Sequence, residues 1–268
     1  MYMKEIFKEQ NRSLLAELVR TDFKLRYQGS VLGYAWSLLK PLFMFLVLYV
    51  VFAIVFKFGD DIPNYPIYLL LGIVLWNFFM ELTQQGLGSI VNRGGLIRKI
   101  AIPSWMITLA ASIGAIINVA LNMVVVLAIS LFTGMDFLAT SPLLLIYIIE
   151  IYVFAFGVSL ILATLYVKYR DMSYIWDVVL QAGFYATPIL YTISFIENLT
   201  IQKLMFMNPV AHAIQGARKV FVTNEAIVIT DVLKGVYWHG VMLLIVCLTV
   251  ALGAYVFKKE SKYFAENL

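Results

Sequence analysis

Charge is what this 268-residue chain has least of: 13% of its residues are Asp, Glu, Lys or Arg, against 62% hydrophobic. Soluble domains carry about 25% charged residues, and a chain this apolar folded in water would expose large aggregating patches. Lipid is therefore the solvent for most of it. The single cysteine, Cys247, sits in an apolar run, which excludes an intrachain disulfide and says nothing of compartment. The two histidines, His212 and His239, read as far apart, with no Cys or carboxylate cluster to join them, so no metal centre is expected. There is no GxxxxGK[ST] loop, which excludes ATP hydrolysis by that route, and no catalytic residue is expected. The net charge of +4 is spread over membrane-flanking segments, so nucleic acid is not an expected partner. Residues 1–30 are charged throughout and lack a short apolar core before a cleavage site, so the first membrane helix is expected to act as its own insertion signal.

What the chain does have is one apolar run after another. Crossing a bilayer as a helix takes about 20 mostly apolar residues. Six stretches qualify: residues 32–56, 67–87, 103–133, 138–167, 172–196 and 237–257. The third and fourth exceed that length and have room to tilt. The expected fold is an all-α membrane protein with six transmembrane helices. Most Lys and Arg fall on one side of these spans, including Arg93, Arg98, Lys99, Lys168, Arg170, Lys258, Lys259 and Lys262. Lys57, Lys203, Arg218, Lys219 and Lys234 fall on the other. The positive-inside rule then puts both termini in the cytoplasm.

The connections carry their own patterns. In residues 14–26, Leu14, Leu15, Leu18, Val19 and Leu25 share one helical face. This predicts an amphipathic helix at the membrane surface, serving either as an anchor or as a docking element. Asp22 interrupts its apolar face and has Arg26 as its i+4 neighbour, an arrangement that allows pairing. Between spans two and three, Gly94-Gly95 breaks one helix, and residues 96–102 form a short amphipathic helix or an ordinary basic loop. In residues 197–234, Asn208-Pro209 supplies an N-cap with proline at the first helical position, and Val210, Ile214, Ala217 and Phe221 follow at helical spacing. With the apolar residues 199–207, this predicts two short helices, either a re-entrant pair or a small extracytoplasmic cap. The residues alone lean to the cap.

Ionisable residues inside spans are functional suspects. Glu150 lies deepest. Glu81 and Asp177 lie near cytoplasmic ends and are expected to reach the interface. Asn118 and Asn122, one turn apart, suit helix–helix hydrogen bonding. Aromatics gather in spans one and five: Tyr34, Trp36, Phe43, Phe45, Tyr49, Phe184, Tyr185 and Tyr191. They would suit a path for sugar rings, although composition alone favours ordinary packing.

Four stretches taken together, LVRTDFKLRYQGSVLGYAWSLLKP, YVKYRDM, FYATPILYTI and MNPVAHAIQGARKVF, resemble the permease subunits of ABC type 2 transporters that export cell-surface polysaccharides. That family includes the O-antigen, capsule, rhamnan and wall teichoic acid exporters. The resemblance runs over nearly the whole chain. It implies a homodimer with a channel between two copies and two copies of a cytoplasmic ATP-binding subunit. It also implies a polyprenyl-pyrophosphate-linked polysaccharide as cargo and a bacterial cytoplasmic membrane location. ATP and Mg would sit in the partner, with no cofactor in this chain. On this resemblance, residues 1–30 form a cytoplasmic segment with an interface helix, residues 31–257 the six-helix domain, and residues 258–268 a cytoplasmic tail. A coupling loop spans 88–104, and gate helices lie in 197–234. Contact with the ATPase falls to Asp22, Arg26, Arg93, Leu96, Ile97, Arg98, Lys99, Tyr169, Arg170 and Asp171. The gate falls to Asn208, Pro209, Ile214 and Phe221, and the aromatic lining to Tyr34, Trp36, Phe45, Tyr49, Phe184, Tyr185 and Tyr191. One residue departs from the family pattern: Lys40 stands before the span-one proline, where relatives often carry a neutral residue. If the helix starts near residue 31, Lys40 lies about 14 Å along it, far for a snorkelling lysine on a lipid face. It is expected either to face the channel or its cytoplasmic entrance and meet an anionic lipid head group, or to mark an interface that lies higher, near Lys40 itself. The competing readings are an ABC permease for a drug or lipid, a proton-coupled carrier using Glu150, and a static scaffold.

Overall fold

The computed structural model describes residues 9–27, 29–30, 32–57, 62–99 and 102–268. Among the described residues the fold is all-helical, because lipid offers backbone groups no partner and each segment must satisfy its own. The elements are α1 (Glu9–Tyr27), α2 (Trp36–Tyr49), α3 (Tyr65–Ser89), α4 (Gly94–Lys99), α5 (Ser104–Phe132), α6 (Leu144–Lys168), α7 (Met172–Ala186), α8 (Leu199–Phe206), α9 (Pro209–Phe221), α10 (Ile229–Leu233), α11 (Tyr237–Glu260) and α12 (Phe264–Asn267). Five segments are long and apolar enough to cross a membrane: Trp36–Val55, Tyr65–Ser89, Ser104–Phe132, Ser141–Lys168 and Tyr237–Asn267.

The fifth expected span is shorter than its apolar run. Residues 172–196 read as one helix, but α7 stops at Ala186 after 15 residues. At about 1.5 Å per residue that is roughly 22 Å, short of a ~30 Å hydrocarbon core. The cause is Pro188, which disfavours helical backbone at the residue before it, and Thr187 is extended at φ −93° and ψ 135°.

Helix α3 is the centre of the bundle. It packs against α2, α5, α6, α7 and α9, and most of its side chains are buried. The most extensive helix pair is α6 with α11, and small residues make it possible. A Cβ on Gly157 would lie 2.8 Å from the Val250 nitrogen, and one on Gly253 would overlap the Gly157 carbonyl oxygen. With no hydrophobic drive between helices in lipid, such backbone approach supplies the packing energy.

Helix α2 carries Pro41 in its interior. Proline has no N–H to give the carbonyl four residues back, which belongs to Ser37. Asn122 Nδ2, on α5, donates to that carbonyl at 3.3 Å. Asn122 also donates to the Asn118 carbonyl at 2.8 Å. The asparagine pair therefore bridges spans, as its spacing suggested.

The apolar face of α1 docks on the protein itself: Leu18 is buried with Met106 and Ala110 of α5, flanked by Leu14, Leu15 and Val19. On α2 and α7 the outer faces are left uncovered, with Phe43, Met44, Leu46, Val47, Tyr174, Ile175 and Val178 exposed.

Candidate functional site

A polar pocket lies beside α2. Along α3, Asn77, Glu81, Gln84 and Gln85 fall within one arc at the 3.6-residue period, facing Lys40 and Asn118 across a cavity of about 320 Å³. Glu81 Oε1 accepts from Gln85 Nε2 at 2.7 Å and also from Asn118 Nδ2. Gln84 Nε2 donates to Asp177 of α7 at 2.9 Å. Glu81 is half-buried and turned toward Asn118, a cross-helix amide partner within reach. Lys40 is exposed at the pocket and Trp36, 46% exposed, stands beside it.

A second polar cluster corrects the reading of the histidines as unconnected. His212 Nδ1 lies 2.8 Å from Glu150 Oε1, and His212 Nε2 lies 2.9 Å from His239 Nδ1. The chain joins α6, α9 and α11 and opens on a largely apolar cavity of about 440 Å³. Sequence separations of 62 and 27 residues hid it. Among the described residues no group of three or more His, Cys, Asp or Glu has the geometry for a metal ion.

Arg218 on α9 was missed altogether, read as one more cation on the outer side. Its side chain is 0% exposed. Nε donates to the Tyr68 carbonyl at 3.0 Å, Nη1 to the Pro188 carbonyl at 2.6 Å, and Nη2 to the Ile189 carbonyl at 2.7 Å. The guanidinium stacks 3.7 Å from the Tyr68 ring centroid, in space that Gly72 leaves open, since a Cβ there would collide with it. Arg218 thus satisfies carbonyls released where Pro188 ends α7. The available signal was an arginine one turn past Ile214 on the apolar side of α9, level with Ala211 and Val222 in the helical period.

The residues assigned to the gate are built as expected locally. Asn208 caps α9 by accepting from Val210 N at 3.0 Å, with Pro209 at the first position. Pro209, Ile214 and Phe221 are buried, so α9 is packed against α3 and α6. Asn198 caps α8 in the same way.

At the charged end, Asp22 pairs with Arg93, whose Nη2 also donates to the Leu18 carbonyl at 3.3 Å. The other residue expected to pair with Asp22, Arg26, has its side chain outside the described residues. Burial pulls the Arg93 guanidinium below its ordinary pKa, yet a guanidinium begins so far above neutrality that it stays cationic. Gly94-Gly95 does not break a helix but begins α4. Leu96 and Ile97 turn inward onto an apolar cluster that includes Phe264 and Leu268, while Arg98 and Lys99 are exposed. Tyr169, Arg170 and Asp171 are also exposed, with Arg170 5.4 Å from the Tyr166 ring centroid.

The aromatic residues do not form one surface within a single chain. Trp36 and Tyr185 are 46% and 64% exposed, but Phe45 is 7% exposed and packs in the core with Tyr49. The reason is that α2 lays this face on α3. Phe184 packs edge-on to both Trp76 and Tyr185. The Tyr191 hydroxyl donates to the Tyr185 carbonyl at 2.9 Å. The Tyr34 side chain lies outside the described residues.

An all-helical bundle with five crossing-length segments and its polar groups turned inward defines an integral, multi-pass membrane protein. The sequence pattern of the ABC-2 type transporter family matches residues 13–222, and the chain belongs to that family. It is similar to the O-antigen export system permease protein RfbA of Myxococcus xanthus, 28% identical over 213 residues covering 79% of this chain and 81% of that one. A protein of the same description from Klebsiella pneumoniae is 27% identical over 274 residues, covering 95% of each chain. The polysialic acid transport protein KpsM of Escherichia coli is 24% identical over 256 residues, covering 94% of this chain and 96% of that one.

Proposed function

We propose that the chain is the transmembrane subunit of an ATP-driven exporter that moves a cell-surface polysaccharide, carried on a polyprenyl-pyrophosphate lipid, across the bacterial cytoplasmic membrane. The observation that carries this reading is the family match over residues 13–222, with relatives named for O-antigen export and polysialic acid transport along almost their full length. Two copies form the channel, using the uncovered faces of α2 and α7, so that Trp36 and Tyr185 meet the glycan. On this reading α7, though short of a full crossing by itself, lines the channel as the fifth of six membrane segments, and α8 with α9 forms a re-entrant gate. Both termini lie in the cytoplasm. A separate ATP-binding subunit, two copies per exporter, carries ATP and its magnesium ion, and this chain has no catalytic residues. That subunit docks on α4 and on Tyr169, Arg170 and Asp171, with α1 beside them as the interface helix. Lys40 stands at the channel entrance, near the pyrophosphate.

The exposed basic side of α4 and its apolar inner side make it a lever held at both faces. Glycine at residues 96–99 costs about 1 kcal/mol per position in helix propensity, enough to melt a six-residue helix. The expected outcome is export per ATP hydrolysed falling at least tenfold in reconstituted vesicles while the ATPase still copurifies. An unchanged ratio removes the lever assignment.

A second reading, a proton-coupled carrier, draws on the Glu150–His212–His239 chain, which has the spacing of a proton relay. It predicts transport driven by a proton gradient without ATP.

A further inference from the structure

The polar pocket beside α2 has more hydrogen-bonding capacity than the fold itself consumes. Four polar side chains in one stripe of a membrane helix are costly, and their presence marks either helix–helix bonding or a ligand path. Helix–helix bonding accounts for part of the stripe: Glu81 with Asn118, and Gln84 with Asp177. It does not account for Asn77, whose amide lines the cavity and has no hydrogen-bond partner among the described residues. Nor does it account for the cavity. Helices glued by amides close on each other, whereas here about 320 Å³ stays open between α2, α3 and α5. That volume is at the small end of the ~300–1,000 Å³ range of small-molecule sites.

The chemistry of the walls selects the ligand. Side-chain amides offer donors and acceptors together, matching hydroxyls that both donate and accept. The Trp36 indole at the rim offers a flat apolar face. The Glu81 carboxylate beside the amides accepts hydroxyl protons and repels an anion placed next to it. We propose that this pocket is a binding subsite for a neutral sugar ring of the exported glycan, with Asn77 and Glu81 as its hydroxyl partners. Lys40 at its edge suits the adjoining phosphate, which the carboxylate keeps out of the pocket. The inference rests on the export reading and gives it a specific foothold for the cargo's first sugars.

The test uses the chain reconstituted with its ATPase, with lipid-linked glycan extracted from the source cells as the stimulant of ATP hydrolysis. Folding of each variant is checked by size-exclusion profile and thermal unfolding. Asn77→Ala and, separately, Glu81→Gln are expected to raise the KM for glycan about tenfold, the equivalent of ~1.4 kcal/mol, with kcat nearly unchanged. The same glycan cleaved from its lipid is expected to compete against wild type and about tenfold more weakly against Asn77→Ala, while inorganic pyrophosphate leaves KM unmoved. Wild-type KM in both variants, or competition by pyrophosphate in place of free glycan, overturns the sugar subsite while leaving the export reading intact. A wild-type complex that responds to no glycan overturns both.

Discussion

Replacing Arg218 by methionine is expected to remove most folded protein from the membrane. Exchanging a buried charge for an apolar side chain is often neutral or stabilising, because the desolvation cost goes with it. Here the partners decide otherwise. They are backbone carbonyls of Pro188 and Ile189, in non-helical chain where no neighbouring N–H takes over, and no substitution deletes them. Leaving two buried carbonyls unpaired costs on the order of 2–5 kcal/mol together, and the stacking on Tyr68 is lost as well. Against a total stability of about 5–15 kcal/mol, that is a large share. Arg218→Lys keeps the charge but replaces a planar fork by a single point of donors, so it should fall between. In detergent, the melting temperature of Arg218→Met should drop by roughly 10 °C or more. A variant that melts with wild type contradicts the role given to Arg218.

The second large effect belongs to the α6–α11 seam. Gly253→Leu drives a side chain into the Gly157 carbonyl, so the helices must part along their most extensive contact. Overpacking of this kind costs about 1–3 kcal/mol or more. It also strains the Lys168–Glu260 ion pair (2.6 Å), which the same two helices hold. Gly240→Ala on the same helix is the control: a Cβ there meets nothing within 4 Å, and alanine favours the helix by up to ~1 kcal/mol. The two substitutions should shift thermal stability in opposite directions. Equal shifts would mean that the seam is not set by Gly253.

The sequence made legible whatever depends on near neighbours. The Asn208-Pro209 start of α9, the amphipathic run in α1 and most of the apolar spans are properties of a few consecutive residues. The end of α7 was also written locally, in Pro188, but a hydropathy reading of residues 172–196 passes over a proline followed by Ile189 and Leu190. What stayed hidden was set by partners far along the chain. Arg218 bonds to a carbonyl 150 residues away, Arg93 reaches Asp22 across 71 residues, and Glu81 finds Asn118 across 37. A polar residue in an apolar segment announces that it has a partner; which one depends on helix packing that spacing alone does not fix. The aromatic residues show the same limit: Trp36 and Phe45 share α2, yet one is exposed and the other lies in the core.

The most direct test of the account is ATP-driven export in sealed vesicles. The chain and its ATP-binding partner subunit are reconstituted, lipid-linked glycan is supplied on the ATPase side, and glycan in the lumen is measured with and without a proton-dissipating agent. The account predicts uptake that requires ATP, fails without the ATPase and persists when the proton gradient is collapsed. Uptake driven by an imposed proton gradient in the absence of ATP would contradict it and turn attention to Glu150, His212 and His239.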